Sequence, residues 1–117
     1  MSLRRLTILA FREPHGRWVA RILEHDMSAE GRTREAAIEM VLRLARAHIA
    51  YDIRHNREPL SVFGPAPQVF WNTFEDATPL PQPPGDDLDY YTAIEIRIGA
   101  ARRHPTLLRL VPMERTA

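Results

Sequence analysis

Between Thr33 and Ile53 apolar residues recur at the spacing of a helix, and this run limits the folds open to the chain more than any other feature. An α-helix turns by about 100° per residue. On that step Ala37, Ile38, Val41, Leu42, Leu44, Ala45, His48 and Ile49 share one arc, while Glu39, Arg43, Arg46 and Ala50 fall opposite. One greasy side on a helix of roughly four to five turns suits it to lie across a sheet. Thr33 is placed as the N-cap, its hydroxyl accepting from an orphan N–H of the first turn. Glu35 adds negative charge where the helix dipole favours it. Three residues after Thr33 stands Ala36, so the reciprocal capping box is incomplete. Gly31, just ahead of the cap, permits a tight or positive-φ turn.

The segments on either side read as strands. Residues 3–12 are rich in Leu, Ile, Thr and Phe. Glu13-Pro14-His15-Gly16 is a turn, and Trp18 to Leu23 returns with Trp18, Ala20 and Ile22 on one face and Val19, Arg21 and Leu23 on the other. A short third strand is expected over Met27 to Glu30. After Ile53 the character changes. Pro59, Gly64, Pro65 and Pro67 interrupt any long element, and a short second helix is expected within residues 67–77. Residues 78–87, TPLPQPPGDD, read as an extended connector. Leu88 to Gly99 alternates cleanly: Tyr90, Thr92, Ile94, Ile96 and Ile98 face one way, and Tyr91, Ala93, Glu95 and Arg97 the other.

The expected fold class is therefore α+β: an antiparallel sheet in the order β-β-β-α-…-β with one long amphipathic helix on one face. The 117 residues make one domain. Its core is residues 3–53 and 88–99, with a Pro-rich insert over 54–87 and a C-terminal arm over 100–117.

Composition narrows the chemistry. Cysteine is absent, which removes disulfides, thiolate metal sites and cysteine nucleophiles together. The N-terminus does not read as a signal peptide and no apolar run reaches transmembrane length, so a cytoplasmic protein without a membrane partner is expected. Net charge is +1, too small to argue for nucleic acid. The charge is nonetheless uneven: residues 1–58 carry 11 Arg against 8 acids, and residues 59–98 carry 1 Arg against 6 acids. All 16 basic residues are Arg; base composition of the genome is the favoured explanation of the bias, although the side chain does suit carboxylate and phosphate contacts.

The residues from Glu24 to Ala37, EHDMSAEGRTREAA, resemble the E-x-D-x-x-x-x-G-x-T-x-E-x-A corner of HicB-like proteins, with Glu24, Asp26, Gly31, Thr33, Glu35 and Ala37 at the matching positions. With the hairpin before and the helix after, the resemblance spans roughly residues 3–53. It implies a β-β-β-α-β core, a partial ribonuclease H fold, and the role of an antitoxin that covers the active site of a small basic RNA-cleaving toxin. This chain has Ala36 where many family members carry a second acid. The Pro-rich insert and the 99–117 tail do not read as the DNA-binding motifs that many members add.

Glu24, His25, Asp26 and Glu30 form the densest polar cluster near a strand end. Strand alternation puts Glu24 and Asp26 on one face and His25 on the other, which does not gather the carboxylates that a metal-dependent nuclease requires. The expectation is an acidic rim at Glu24, Asp26 and Glu30 meeting Arg or Lys of a protein partner, with Gly31, Thr33 and Glu35 forming the helix cap. No catalytic residue, cofactor or metal is expected. His48 is read as a structural histidine bonded to Asp52 one turn later. The aromatics Phe63, Phe70, Trp71 and Phe74 read either as a flap over one sheet face or as an exposed patch. A homodimer is expected, either through the edge of the strand carrying Tyr90, Thr92, Ile94, Ile96 and Ile98, because an unpaired apolar edge invites strand addition, or through the C-terminal arm. The rival readings are a degenerate ribonuclease H-like nuclease or RNA-binding protein, and a structural subunit without a ligand.

Overall fold

A computed structural model describes residues 5–80 and 93–99. The elements run β1 (Arg5–Arg12), β2 (Trp18–Ile22), β3 (Met27–Gly31), α1 (Arg34–Arg54), α2 (Gln68–Glu75), β4 (Thr78–Leu80) and β5 (Ala93–Ile98). They form an α+β fold on one five-stranded sheet ordered β3-β2-β1-β5-β4. Residues 81–92 and 100–117, which include Tyr90, Thr92 and the expected C-terminal arm, lie outside the described residues.

β1 and β2 close as a hairpin with Phe11 opposite Val19 and Ile8 opposite Ile22. Its turn is tied by the Glu13 N–H donating to the Arg17 carbonyl at 2.8 Å and the Gly16 N–H donating to the Glu13 carbonyl at 2.8 Å. Gly16 sits at φ +98°, a conformation that a side chain would resist. β2 pairs antiparallel with β3, and α1 then crosses the face formed by Leu6, Ile8, Ala10, Ala20, Ile22 and Met27.

Strand alternation gives β1 and β2 two buried faces. Leu9, Phe11, Val19 and Leu23 point away from α1 and are covered by Ala66, Phe70 and Phe74. The aromatic stretch is thus a flap over the second sheet face, with Phe70 fully buried. Phe63 belongs to the first face, where its ring meets His48 edge-on at 5.2 Å.

The sheet is mixed, not wholly antiparallel: β5 runs parallel to β1, with Leu6 opposite Ile94 and Ile8 opposite Ile96. β2, β3, α1, α2 and β4 intervene between β1 and β5, so no hairpin ties β5 to β1, and either direction is open to that pairing. β4 falls within the stretch expected to be an extended connector. Pro79 cannot donate to a ladder, and among the described residues the strand accordingly sits at the sheet edge, pairing with β5 over Thr78–Leu80.

α1 buries Ala37, Ile38, Val41, Leu42, Ala45, Ile49 and Asp52. Leu44 was expected on that arc and is 38% exposed. Measured round the helix it lies nearer Met40 and Ala47 than the centre of the buried side. The expected His48–Asp52 bond is replaced by another: the Asp52 carboxylate accepts the Leu60 N–H at 2.8 Å. Leu60 is fully buried and held at φ +61°.

Candidate functional site

The acidic corner joins β2 to β3 and is anchored on β1. The ladder between β1 and β2 stops at Ile8–Ile22, one residue short of the corner. There the Leu23 N–H still donates to the Thr7 carbonyl at 2.9 Å. The Thr7 N–H, in contrast, donates to Glu24 Oε1 at 2.7 Å, and the Thr7 hydroxyl donates to Glu24 Oε2 at 2.5 Å. This leaves the Leu23 carbonyl for the Ala66 N–H at 2.8 Å, which fastens the segment leading into α2. Glu24 is therefore a clamp inside the protein, half-buried and engaged through both oxygens, and not part of a solvated rim. Sequence reasoning missed it because Thr7 is 17 residues away.

Asp26 and Glu30 do reach the surface. Asp26 takes the positive φ of the corner at +48°, which Asp tolerates better than most residues. Its carboxylate pairs with Arg21, whose guanidinium also lies 4.1 Å over the Phe70 ring. Glu30 pairs with Arg17 at 3.1 Å, with both side chains about half exposed. Pairs of that kind are worth about 0–1 kcal/mol, so a partner's guanidinium can displace Arg17 at small cost. Among the described residues no group of three or more His, Asp or Glu stands close enough to hold a metal ion.

The cap forms as the sequence indicates: Thr33 is extended, and its hydroxyl accepts the Ala36 N–H at 3.0 Å. The Arg34 guanidinium at 2.7 Å, together with the Glu35 backbone N–H, holds the Glu35 carboxyl below its ordinary value. Gly31 serves closeness, not a positive φ. A Cβ there would lie 2.6 Å from the Ala37 nitrogen and 2.9 Å from Ala36, so only glycine lets the end of β3 meet the start of α1.

Ile96 and Ile98 do not stand on an open sheet edge, because β4 pairs with β5 from Ile96 to Ile98, and Ile94 lies before that pairing begins. β5 lies between β1 and β4, Ile96 is 2% exposed, and all three pack into the core under α1. The exposed apolar surface lies elsewhere. Met40, Leu44, Ala47 and Tyr51 form an outer stripe on α1, and Val62 stands nearby at 65% exposed. A groove of about 380 Å³ runs between this stripe and the Arg57–Phe63 segment. The 4-3-4 spacing of the stripe is visible in the sequence, overshadowed by the stronger inner arc.

Comparison with family models, curated proteins and solved structures finds no match to this chain. The fold and corner define an α+β module of one mixed sheet with a helix on each face. No helix among the described residues is long and apolar enough to cross a membrane.

Proposed function

We propose that the chain is a non-catalytic, HicB-like protein-binding module acting in the cytoplasm, of the kind that neutralises a small basic RNA-cleaving toxin. The observation that supports this reading is the corner itself. The residues that carry the resemblance fold together as one unit, with Glu24 locking it, Gly31 and Thr33 joining it to α1, and Asp26 and Glu30 turned outward. The β-β-β-α order with a later strand beside β1 agrees with the layout that the resemblance implies.

The surface that meets the partner is then Asp26 and Glu30, without Glu24. Arg21, its side chain 13% exposed, holds Asp26 in place, and the half-exposed Arg17 exchanges with a cation of the partner. Self-association through β5 is not part of the reading, since that strand is interior.

The test is capture of a small basic protein encoded beside this one, using co-expressed tagged chains. Asp26→Arg with Glu30→Arg is expected to lower capture by at least about tenfold, which corresponds to about 1.4 kcal/mol. Capture that survives the double reversal would remove the acidic surface from the reading. Magnesium-dependent degradation of RNA, abolished by Asp26→Ala, would instead favour the nuclease alternative.

A further inference from the structure

We infer that the groove between the outer stripe of α1 and the Arg57–Phe63 segment is a second docking site, and that its occupant is an acidic amphipathic helix of another protein. The floor is apolar, made by Leu44, Ala47, Tyr51, Val62 and Phe63. Leu44, Tyr51 and Val62 are 38%, 44% and 65% exposed, and Met40 extends the stripe at 47%. Met40, Leu44, Ala47 and Tyr51 follow the i, i+4, i+7, i+11 spacing that receives a partner helix along its length.

Charge decides which helix. Arg57 lines the groove with its guanidinium carbon 5.4 Å over the Tyr51 ring, and the His55 ring stacks on the same Tyr51 at 4.1 Å. Arg54 closes the last turn of α1 beside them. At about 100° per residue, Arg54 lies roughly 50° from the centre of the stripe, and Arg43, on the same side and farther out, pairs with Glu39 at 3.9 Å. The one carboxylate in the lining, Asp52, is buried and turned to the Leu60 N–H. Glu35 and Glu39 line a separate hollow together with Arg46, Ile38, Leu42 and Leu80.

That distribution argues against a second copy of the chain. Two α1 helices packed stripe to stripe would bring Arg54, Arg57 and the His55 ring of each copy to the shared rim, with Glu35 on the far side of the helix. A helix with apolar anchors at i, i+3 or i+4, and i+7, and with Glu or Asp on its flanks, satisfies floor and rim together.

The experiment uses the full chain and four probes. They are a synthetic amphipathic peptide with Leu anchors and Glu flanks, its counterpart with Lys flanks, a single-stranded RNA oligonucleotide, and the chain itself over a concentration series. Fluorescence anisotropy measures affinity, and amide shifts at Leu44, Tyr51 and Val62 report the place. The Glu peptide is expected to bind in the groove, at least about tenfold tighter than the Lys peptide. Val62→Asp and Arg54→Glu with Arg57→Glu are each expected to weaken it by about tenfold, and their unchanged thermal melts would show an intact fold. The inference is overturned by equal binding of both peptides, by no binding of either, or by binding indifferent to these variants. RNA held at the groove more tightly than the Glu peptide, or a dimer dissolved by Val62→Asp, would overturn it equally. None of these variants touches Asp26 or Glu30, so failure here leaves the toxin-binding reading to its own test.

Discussion

Glu24 and Thr7 meet across the end of the first hairpin, where one carboxylate accepts both the backbone N–H and the hydroxyl of a single residue, at 2.7 and 2.5 Å. The carboxylate does there what the Leu23 carbonyl would do in a continuing ladder. The freed carbonyl accepts the Ala66 N–H at 2.8 Å, so one side chain couples β1 to the segment that covers the second face.

Removing that carboxylate should therefore be felt in two layers. Glu24→Ala leaves the N–H and hydroxyl of a buried threonine without an acceptor, a loss of about 1–3 kcal/mol. Glu24→Gln keeps an oxygen for the N–H and should cost less. Urea denaturation measures the loss, and hydrogen exchange at the Ala66 amide should quicken in Glu24→Ala. A midpoint equal to the parent's would contradict the clamp.

Gly31→Ala tests the close approach of β3 to α1. The added methyl would sit 2.6 Å from the Ala37 nitrogen, and the atoms it meets include backbone that cannot rotate aside. Overpacking of this sort costs about 1–3 kcal/mol, and a backbone obstacle puts this case at the upper end. Thr33→Ala should cost only about 1 kcal/mol, the usual worth of a cap. Thermal melts that ranked Thr33→Ala as the more damaging would reverse this account.

The helix, the hairpin and the facing of β2 were legible in the sequence because each depends on local periodicity. Trp18, Ala20 and Ile22 do face α1, and Val19 and Leu23 do face away. What stayed hidden depends on contacts distant in sequence. Thr7 gives no local sign of Glu24, and Asp52 gives none of Leu60. Clean alternation in residues 94–98 reveals two faces of a strand but not its neighbours, so β5 looked like an edge. Pro79 hid β4 for the opposite reason: a residue that usually ends strands is admissible at the outermost position of a sheet.

Asp52 and Leu60 set the exit from α1. Leu60 holds a left-handed backbone with its side chain fully buried, and the Asp52 carboxylate accepts its N–H. Asp52→Ala should cost about 1–3 kcal/mol by leaving that buried donor unmet. Leu60→Gly sets two effects against each other. Relief of the backbone strain returns about 1 kcal/mol, whereas loss of a buried leucine side chain costs about 2–5 kcal/mol. The cavity wins, and the variant should be less stable than the parent by chemical denaturation.

Glu35 contributes a small acid-side dependence. Arg34, then the Glu35 N–H, lower its folded-state value, so its stabilisation is fully present above the unfolded-state value. It is lost as pH falls through the lowered folded-state value. The side chain is 69% exposed, which keeps the effect small and makes salt weaken it further. Glu35→Gln should flatten the decline in stability over the carboxylate range, and Arg34→Ala should flatten it similarly. A steeper decline in either variant would show that the sign is wrong.

Ile96 separates a core strand from an interface strand. It is 2% exposed, faces the α1 side of the sheet, and stands opposite Ile8 on one neighbour and Leu80 on the other. If β5 were a dimer edge, a change at Ile96 would alter association, and apparent stability would depend on protein concentration through mass action. Packed as it is, Ile96→Ala should instead open a cavity and cost about 2–5 kcal/mol. That loss should be the same in dilute and concentrated samples. Denaturation curves recorded across a wide concentration range decide it: a midpoint that moves with concentration in the parent and becomes fixed in Ile96→Ala would return β5 to an interface.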